Sequence, residues 1–383
     1  MKNLTAADLG ILLKGAFPPF PGDRALSILV DIPRHPEKDT AEWKKRRSLA
    51  GSWHRALRKD PSALGLQEIN LIAYPDVGSN NADLPDTAFR LRRGTPARSE
   101  DLIRSGDPIP FQRVFEDNQI FLALTEYSTT APLKNAAKRF GFRAATMPGF
   151  SIRMIPALKI DYEQVNIRVS LLKEKLDRAQ AADIEFLVDG KRGFSITFDL
   201  RFRQAHSSGG RFPEKGTAGN LPSGEAYIVP YEGERGEKSR TDGILPVQIG
   251  EEIVLFTVRE NRAVAVEGSG RAAATEREHL EKEPAYGNMA ELGFGVLAAF
   301  GIQPVGEILL DEKLGFHVAF GRSDHFGGTV GPGQFSAPQE VIHLDRIYIP
   351  SAQPKIRVES VVFRDETGSP ETIIEGDRYV IFS

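Results

Sequence analysis

The sequence predicts an α/β protein with two domains: an N-terminal βαβ parallel-sheet domain in residues 1–155 and a mixed, β-rich α+β domain in residues 156–383. Three observations support this prediction. The chain has 383 residues, which is more than one hydrophobic core usually organises. Short apolar runs alternate with a helical pattern in the first part, as in parallel βαβ units. Farther along, short strands separated by turns replace that alternation.

The N-terminal domain is predicted from three apolar runs of strand length, in residues 25–33, 69–75 and 120–126. Between the first two runs, apolar residues recur at helical spacing in residues 40–59, with Trp43 among them. The basic residues of that helix fall on its polar face, so we expect them to be solvated. The alternation of strand and helix favours a parallel sheet.

The second domain begins with a helical period in residues 160–182. Residues 206–224 are rich in Gly, Ser and Pro, which predicts a long loop, and loops of this length are often functional. Residues 271–282 are prone to form a helix. Strands are predicted in residues 183–188, 193–202, 226–230, 252–258, 263–266, 355–363 and 372–381.

The composition excludes several classes of function. The 49 Lys and Arg residues nearly balance the 52 Asp and Glu residues, and the net charge of −3 provides no global field for nucleic acid or an anionic membrane. Cysteine is absent, which removes disulfides, cysteine-bound metals and thiol nucleophiles. The N-terminal residues resemble neither a secretion signal nor a membrane span, so we expect a cytoplasmic protein.

Two histidine segments are candidates for chemistry. His317 lies inside an apolar run of strand character, on the same side as Gly315 and Ala319, whose small side chains leave room beside the ring. His343 and Asp345 are two residues apart, so on a strand both side chains project from one face. This spacing allows an imidazole and a carboxylate to bind one metal ion, or an aspartate to orient a histidine.

Two glutamates extend this candidate site. Glu225 stands where a Pro/Gly turn enters a strand, and Glu291 begins an apolar run that we predict to be helix-like up to residue 300. A carboxylate is costly to bury unless it is paired or bound to a metal. The resulting set of oxygen and imidazole ligands suits Zn²⁺, Mn²⁺, Co²⁺ or Fe²⁺ and consists of Glu225, Glu291, His317, His343 and Asp345.

Four motifs around these residues give the chain a resemblance to a known family. They are N-L-P-x-G-E in residues 220–225, A-E-x-G-x-G in residues 290–295, D-E-K-x-G-x-H-x-A-x-G in residues 311–321 and H-x-D in residues 343–345. In order and spacing they resemble the metallo-aminopeptidase family of aminopeptidase T and aminopeptidase S, across residues 159–383. Residues before this range fit the family only in general architecture.

The resemblance implies an aminopeptidase with two divalent ions (Zn, Co or Mn) held by Glu225, Glu291, His317, His343 and Asp345. Bridging carboxylates would offset the repulsion between the ions, and a shared water would attack the peptide carbonyl after giving up its proton. Glu291 would be a ligand that also takes this proton. The family further implies a homodimer, and in this chain we expect the 206–224 loop and the helix-prone segment 271–282 to serve as interface elements.

One position departs from the family. Its peptidases carry a tyrosine seven residues after the first ligand histidine, whereas this chain has Asp324 there, followed by His325. His325 is therefore a second catalytic candidate, as a hydrogen-bond donor in place of the phenol, with a solvent-exposed turn histidine as the other interpretation.

Two other functions stay open. A related branch with a similar scaffold opens hydroxypyridine rings with one ferrous ion and dioxygen. The second alternative is a catalytically silent metal-binding scaffold that binds a peptide or another partner. The number of metal ions distinguishes them, because two ions indicate the hydrolase, one iron the dioxygenase and none the binding module. The expected ligand is a peptide or another small molecule in each case.

Overall fold

The structure is a computed structural model that describes residues 3–92 and 94–382. Helices and strands are both abundant, which confirms the mixed α/β class. The helices are α1 (Ala6–Ala16), α2 (Ala41–Leu57), α3 (Leu102–Ser105), α4 (Phe111–Asp117), α5 (Thr130–Phe140), α6 (Tyr162–Arg178), α7 (Arg271–Lys282) and α8 (Ile308–Asp311).

The strands of the N-terminal part are β1 (Ala25–Ile32), β2 (Glu68–Pro75), β3 (Thr87–Leu91), β4 (Gly106–Pro110), β5 (Ile120–Ala123) and β6 (Arg143–Thr146). Those that follow are β7 (Ala181–Val188), β8 (Arg192–Asp199), β9 (His206–Ser208), β10 (Ala218–Asn220), β11 (Glu225–Ile228), β12 (Asp242–Ile249), β13 (Glu252–Arg259), β14 (Arg262–Glu267), β15 (Met289–Gly295), β16 (Phe316–Gly321), β17 (His343–Ile347), β18 (Ile356–Arg364), β19 (Pro370–Glu375) and β20 (Arg378–Tyr379).

The chain divides into two compact units. The first comprises Met1–Asn166, Ser208–Ser223 and Val305–Leu310. The second comprises Ile167–Ser207, Gly224–Pro304 and Asp311–Ser383. Two later segments of the chain thus return to the first unit.

The first unit is built on a seven-stranded sheet in the order β10-β6-β5-β1-β2-β3-β4. Strand β1 pairs in parallel with β2 and with β5, and all eight of its residues are buried. A continuous apolar run is typical of a parallel strand that is covered on both faces. Helix α2 follows β1 and is capped at its N-terminus by Thr40, whose hydroxyl accepts a hydrogen bond from the Trp43 N–H. Trp43 and Trp53 of this helix are buried.

The second unit contains two further sheets that pack face to face. One has five strands in the order β17-β16-β15-β11-β9, and the other has eight in the order β14-β13-β12-β8-β7-β18-β19-β20. Aromatic rings from both sheets meet between them: the ring centroids of Phe294 and Phe363 lie 5.4 Å apart, and those of Phe256 and Phe320 lie 5.0 Å apart. This aromatic layer gives the five-stranded sheet one core-facing side.

Three local predictions differ from the structure. The basic residues of helix α2 are not all solvated, because Arg46 and Arg47 are buried and form ion pairs with Glu126 and Asp39. The run that begins near Glu291 is strand β15 and not a helix, and its seven residues are all buried. Strand β15 pairs with β11 on one side and β16 on the other, and this pairing outweighs local preference in a segment that contains two glycines. The expected loop in residues 206–224 contains the short strands β9 and β10.

In the described parts of the chain, no helix combines the length and the apolar character that a membrane crossing requires.

Candidate metal centre

Three neighbouring strands align the candidate ligands on one face of the five-stranded sheet. Glu291 of β15 lies opposite Ala319 of β16, which lies opposite Asp345 of β17. His343 is two residues before Asp345 and therefore projects from the same side. Residues that pair directly across antiparallel strands share a face, so the register collects these side chains in one place.

Small residues make room for the ligands on this face. Gly293 lies directly opposite His317, and a Cβ atom built on Gly293 would stand 2.0 Å from the Nε2 atom of that ring. Only glycine leaves the space that the imidazole occupies. Glu225 of β11 pairs with Gly295, the next glycine on the same side of β15. Gly293 and Gly295 therefore leave room on this face of β15 for the side chains of His317 and Glu225.

The five candidate ligands form two groups that share Glu291: Glu225, Glu291 and His317 in one, and Glu291, His343 and Asp345 in the other. Nε2 of His317 lies 3.4 Å from Oε1 of Glu291, and Nε2 of His343 lies 3.2 Å from Oε2. In each group the possible ligand atoms lie within 4.8 Å of one another, which is compatible with a single ion.

A buried lysine that the sequence analysis did not single out belongs to the same cluster. Lys313 is 2% exposed and donates hydrogen bonds from Nζ to Glu225 and Glu312. The motif in residues 311–321 contained this lysine, but local spacing does not reveal a contact with Glu225, which lies far away in the chain. The ammonium compensates part of the negative charge and occupies one oxygen of Glu225.

The pKa values of Glu291 and its two histidines show a strong mutual stabilisation of charge. Burial opposes ionisation of Glu291, but hydrogen bonds from His317 and His343 outweigh it and hold the pKa of this carboxyl well below its usual range. Burial likewise disfavours the charged rings, yet Glu291 and nearby carboxylates raise the pKa of His317 to about 10 and that of His343 to about 9. Protons thus occupy the imidazoles where a metal would otherwise bind.

The surroundings of two other carboxyl groups, Glu225 and Asp345, disfavour their ionisation. Burial raises the pKa of Glu225 to about 7 despite the neighbouring Lys313, and burial raises that of Asp345 to about 6. The Oε2 atom of Glu225 is buried and accepts no hydrogen bond from any residue that the structure describes. Buried carboxylates beside imidazoles, with one oxygen atom that accepts no hydrogen bond from the described residues, are a donor set that fits a divalent ion.

His325 lies at the edge of this cluster. Its ring centroid is 5.2 Å from that of His343 in an edge-to-face arrangement, and the ring of Phe326 is adjacent. Burial and the charge of His343 lower the pKa of His325 to about 4, so its imidazole is neutral at pH 7. Tyr227, two residues after Glu225 on β11, packs its ring 4.8 Å from that of Phe326. Aromatic side chains therefore border the candidate ligands.

The comparisons with known proteins yield one informative likeness. No family model matches the chain, and no curated protein matches it. Among solved structures, the chain is similar to 2,5-dihydroxypyridine dioxygenase from Pseudomonas putida, with a TM-score of 0.60 and 13% sequence identity. The alignment covers 98% of this chain and 96% of that enzyme. At this identity the likeness establishes a shared fold, over both units of the chain.

This likeness corrects the family assignment. The resemblance to aminopeptidase T and aminopeptidase S is wrong, and so are the hydrolase, aminopeptidase, metalloprotease, zinc and cobalt assignments that depended on it, because the matching fold is that of a dioxygenase. The physical reason is that the motifs mark strands whose small residues leave room for imidazole and carboxylate groups. Such strands can serve different reactions on one scaffold. The fold that the chain shares is that of the alternative class named above, a hydroxypyridine-type dioxygenase.

Proposed function

We propose that the protein is a non-haem iron dioxygenase that opens an electron-rich heteroaromatic ring of the hydroxypyridine type. The observation that carries the proposal is the contact of Glu291 with two imidazoles, on a fold shared with such an enzyme. Imidazole and carboxylate ligands are the usual ligands of non-haem ferrous sites. In this reaction one dioxygen supplies the two oxygen atoms that the substrate gains as the ring opens, and the ring itself supplies the electrons.

We assign the iron to Glu291, His343 and Asp345. This group is the more accessible one, because the side chain of His343 is 20% exposed whereas that of His317 is 1% exposed. Glu225 has one oxygen engaged by Lys313, so it is less available as a ligand. Bound there, a ferrous ion supplies the redox chemistry that allows dioxygen to react with an aromatic ring.

Residues of the chain position this ligand group. His317 donates from Nε2 to Oε1 of Glu291, and its Nδ1 lies 3.2 Å from the carbonyl oxygen of Gly315. The Nδ1 atom of His343 lies 2.8 Å from the carbonyl oxygen of Arg322. A carbonyl acceptor at Nδ1 leaves Nε2 of the neutral ring free to bind a metal. Both rings are thus oriented by the backbone.

His325 and the neighbouring aromatic residues support a flat aromatic substrate. The neutral imidazole of His325 can accept a hydrogen bond from a ring hydroxyl next to His343. Phe326 contacts both His325 and His343, and Tyr227 contacts Phe326. We propose that these rings bind the substrate by stacking and that His325 acts on its hydroxyl group.

The experiment combines metal analysis with oxygen uptake. Protein loaded anaerobically with Fe²⁺ is expected to hold one iron per chain and to consume one dioxygen per molecule of 2,5-dihydroxypyridine. His343→Ala should abolish both iron retention and oxygen uptake, whereas His35→Ala, which alters an exposed histidine far from the ligands in sequence, should retain both. A protein that binds iron but consumes no oxygen with a panel of hydroxypyridines would contradict the proposed reaction.

Several predictions from the sequence have not been tested by the structure. A second divalent ion would bind at Glu225, Glu291 and His317, so metal counting tests the predicted pair of ions. Four further points stay predictions. They are the domain boundary between residues 155 and 156, the homodimer, the cytoplasmic location and the absence of nucleic-acid and membrane partners. A small-molecule substrate is part of the proposal itself.

A further inference from the structure

The second unit contains a cavity that is separate from the candidate metal centre. It has a volume of about 610 Å³, and none of the five candidate metal ligands lines it. Phe316 lines the cavity, and it alternates along β16 with His317, so the two side chains project from opposite faces of the sheet. The size falls within the range of pockets that bind small organic molecules, roughly 300–1,000 Å³.

The lining of this cavity is largely aromatic and apolar. Phe316, Tyr348, Tyr379 and Phe382 contribute rings, together with aliphatic residues. Tyr379 is held in place because its hydroxyl donates a 2.8 Å hydrogen bond to the carbonyl oxygen of Gly295. The rings of Tyr379 and Phe382 lie 5.0 Å apart. Such walls favour a flat hydrophobic ligand.

One positively charged group in the wall lies between two aromatic rings. The guanidinium of half-buried Arg168 lies 4.8 Å from the ring centroid of Phe300 and 5.1 Å from that of Phe382. Among the residues that the structure describes, no carboxylate pairs with Arg168. Flanking rings keep a guanidinium oriented and partly remove it from water, which strengthens its attraction for an anion.

The other charged residues of the lining do not neutralise Arg168. Asp377 accepts a 2.8 Å hydrogen bond from the backbone N–H of Val358, and Arg378 adds a second positive charge. Two arginines against one aspartate leave the lining with a net charge of +1. An acidic ligand therefore fits the cavity better than a neutral or basic one.

We propose that this cavity binds an aromatic carboxylate, with the ring among Tyr348, Tyr379 and Phe382 and the carboxylate paired with Arg168. The guanidinium presents parallel N–H donors, a geometry that matches a carboxylate. This site does not depend on the iron or on the proposed reaction.

The test uses 1-naphthoate and its neutral analogue 1-naphthamide, titrated calorimetrically into protein freed of metal with a chelator, so that the carboxylate cannot bind to iron. Naphthoate is expected to bind once per chain, and the amide about tenfold more weakly or worse because it lacks the charge-assisted pair. Arg168→Gln should lower naphthoate affinity to that of the amide. Arg178→Gln, on the same helix but 73% exposed in its side chain, should leave both affinities unchanged.

Three results would overturn the inference: no binding of naphthoate to the wild-type protein, equal affinities for naphthoate and naphthamide, or a folded Arg168→Gln variant that binds naphthoate as tightly as the wild type. If Arg168→Gln does not fold, the comparison of the two ligands on the wild-type protein decides. Titration of His343→Ala distinguishes this cavity from the metal centre, because loss of naphthoate binding in that variant would contradict a separate site.

Discussion

The Oε2 atom of Glu291 lies 3.2 Å from Nε2 of His343, across the strand that separates β15 from β17. Ala319 of the intervening strand β16 lies opposite Glu291, and its methyl group is short enough to leave the space above the strand open. The other oxygen atom of Glu291 faces His317. One carboxylate therefore connects the two ligand groups, and changes at Glu291 should affect both.

We predict that Glu291→Gln lowers the affinity for Fe²⁺ about 100-fold or more, because it removes a charged ligand, whereas loss of an outer hydrogen-bond partner alone costs about 10–100-fold. The amide keeps nearly the same shape, so the fold should persist. Metal titration of the purified variant measures the effect. Glu278→Gln on α7, at a glutamate that pairs with Lys282 on the protein surface, is the control. Unchanged iron affinity in Glu291→Gln would remove this residue from the ligand set.

Gly293→Ala should disturb the metal site without changing any ligand. The new methyl group would overlap the ring of His317, which is buried and must move to another rotamer. We expect a loss of stability of about 1–3 kcal/mol from overpacking, together with weaker metal binding. Urea unfolding and metal titration measure the two effects. In Gly193→Ala, where the methyl group meets nothing within 4 Å, both values should stay near those of the wild type. Equal behaviour of the two variants would contradict the prediction.

Lys313→Met should strongly destabilise the second unit. The substitution removes a buried ammonium and leaves Glu225 and Glu312 without their shared cation. Breaking a buried ion pair by removing one partner typically costs about 3–5 kcal/mol. Chemical denaturation at pH 7 gives the difference in the free energy of unfolding. The control Lys282→Met removes an exposed lysine, and we expect its stability to stay near that of the wild type. If Lys313→Met changes the free energy of unfolding as little as Lys282→Met does, the carboxylates of Glu225 and Glu312 do not depend on Lys313 for their stabilisation.

The affinity for Fe²⁺ should rise with pH. In the metal-free protein the pKa of His343 is raised to about 9, so this ring carries a proton at neutral pH and must lose it to bind an ion. Each displaced proton increases the apparent affinity about tenfold per pH unit below that pKa. Calorimetry in buffers with different ionisation enthalpies counts the released protons at pH 7. If no proton is released and the affinity for Fe²⁺ does not vary between pH 6 and 8, His343 does not lose a proton to bind the ion, and the prediction is wrong.

The sequence predicted several parts of the site from strand periodicity alone. His343 and Asp345 are two residues apart and share a face of β17, and His317 shares a face with Ala319 on β16. By contrast, the segment of Glu291 was predicted to be helix-like. Its strand pairs on both sides with segments that are distant in the chain, and no local pattern records such pairing.

Lys313 was overlooked for a similar reason. Its significance depends on contact with Glu225, a residue that local spacing does not connect to it. The apolar cavity beside Arg168 also combines segments from several parts of the second unit. Motif resemblance was misleading about the reaction, because the same ligand-bearing strands occur with different chemistries.

By itself, the sequence determined which ligand types are available, since cysteine is absent, and which side chains share a face of each strand, since alternation is a property of the extended backbone. Only the tertiary structure decided that β11, β15, β16 and β17 lie side by side in one sheet. Their antiparallel register depends on hydrogen bonds between distant segments and on burial of the opposite, aromatic face. That register brings Glu225, Glu291, His317, His343 and Asp345 together.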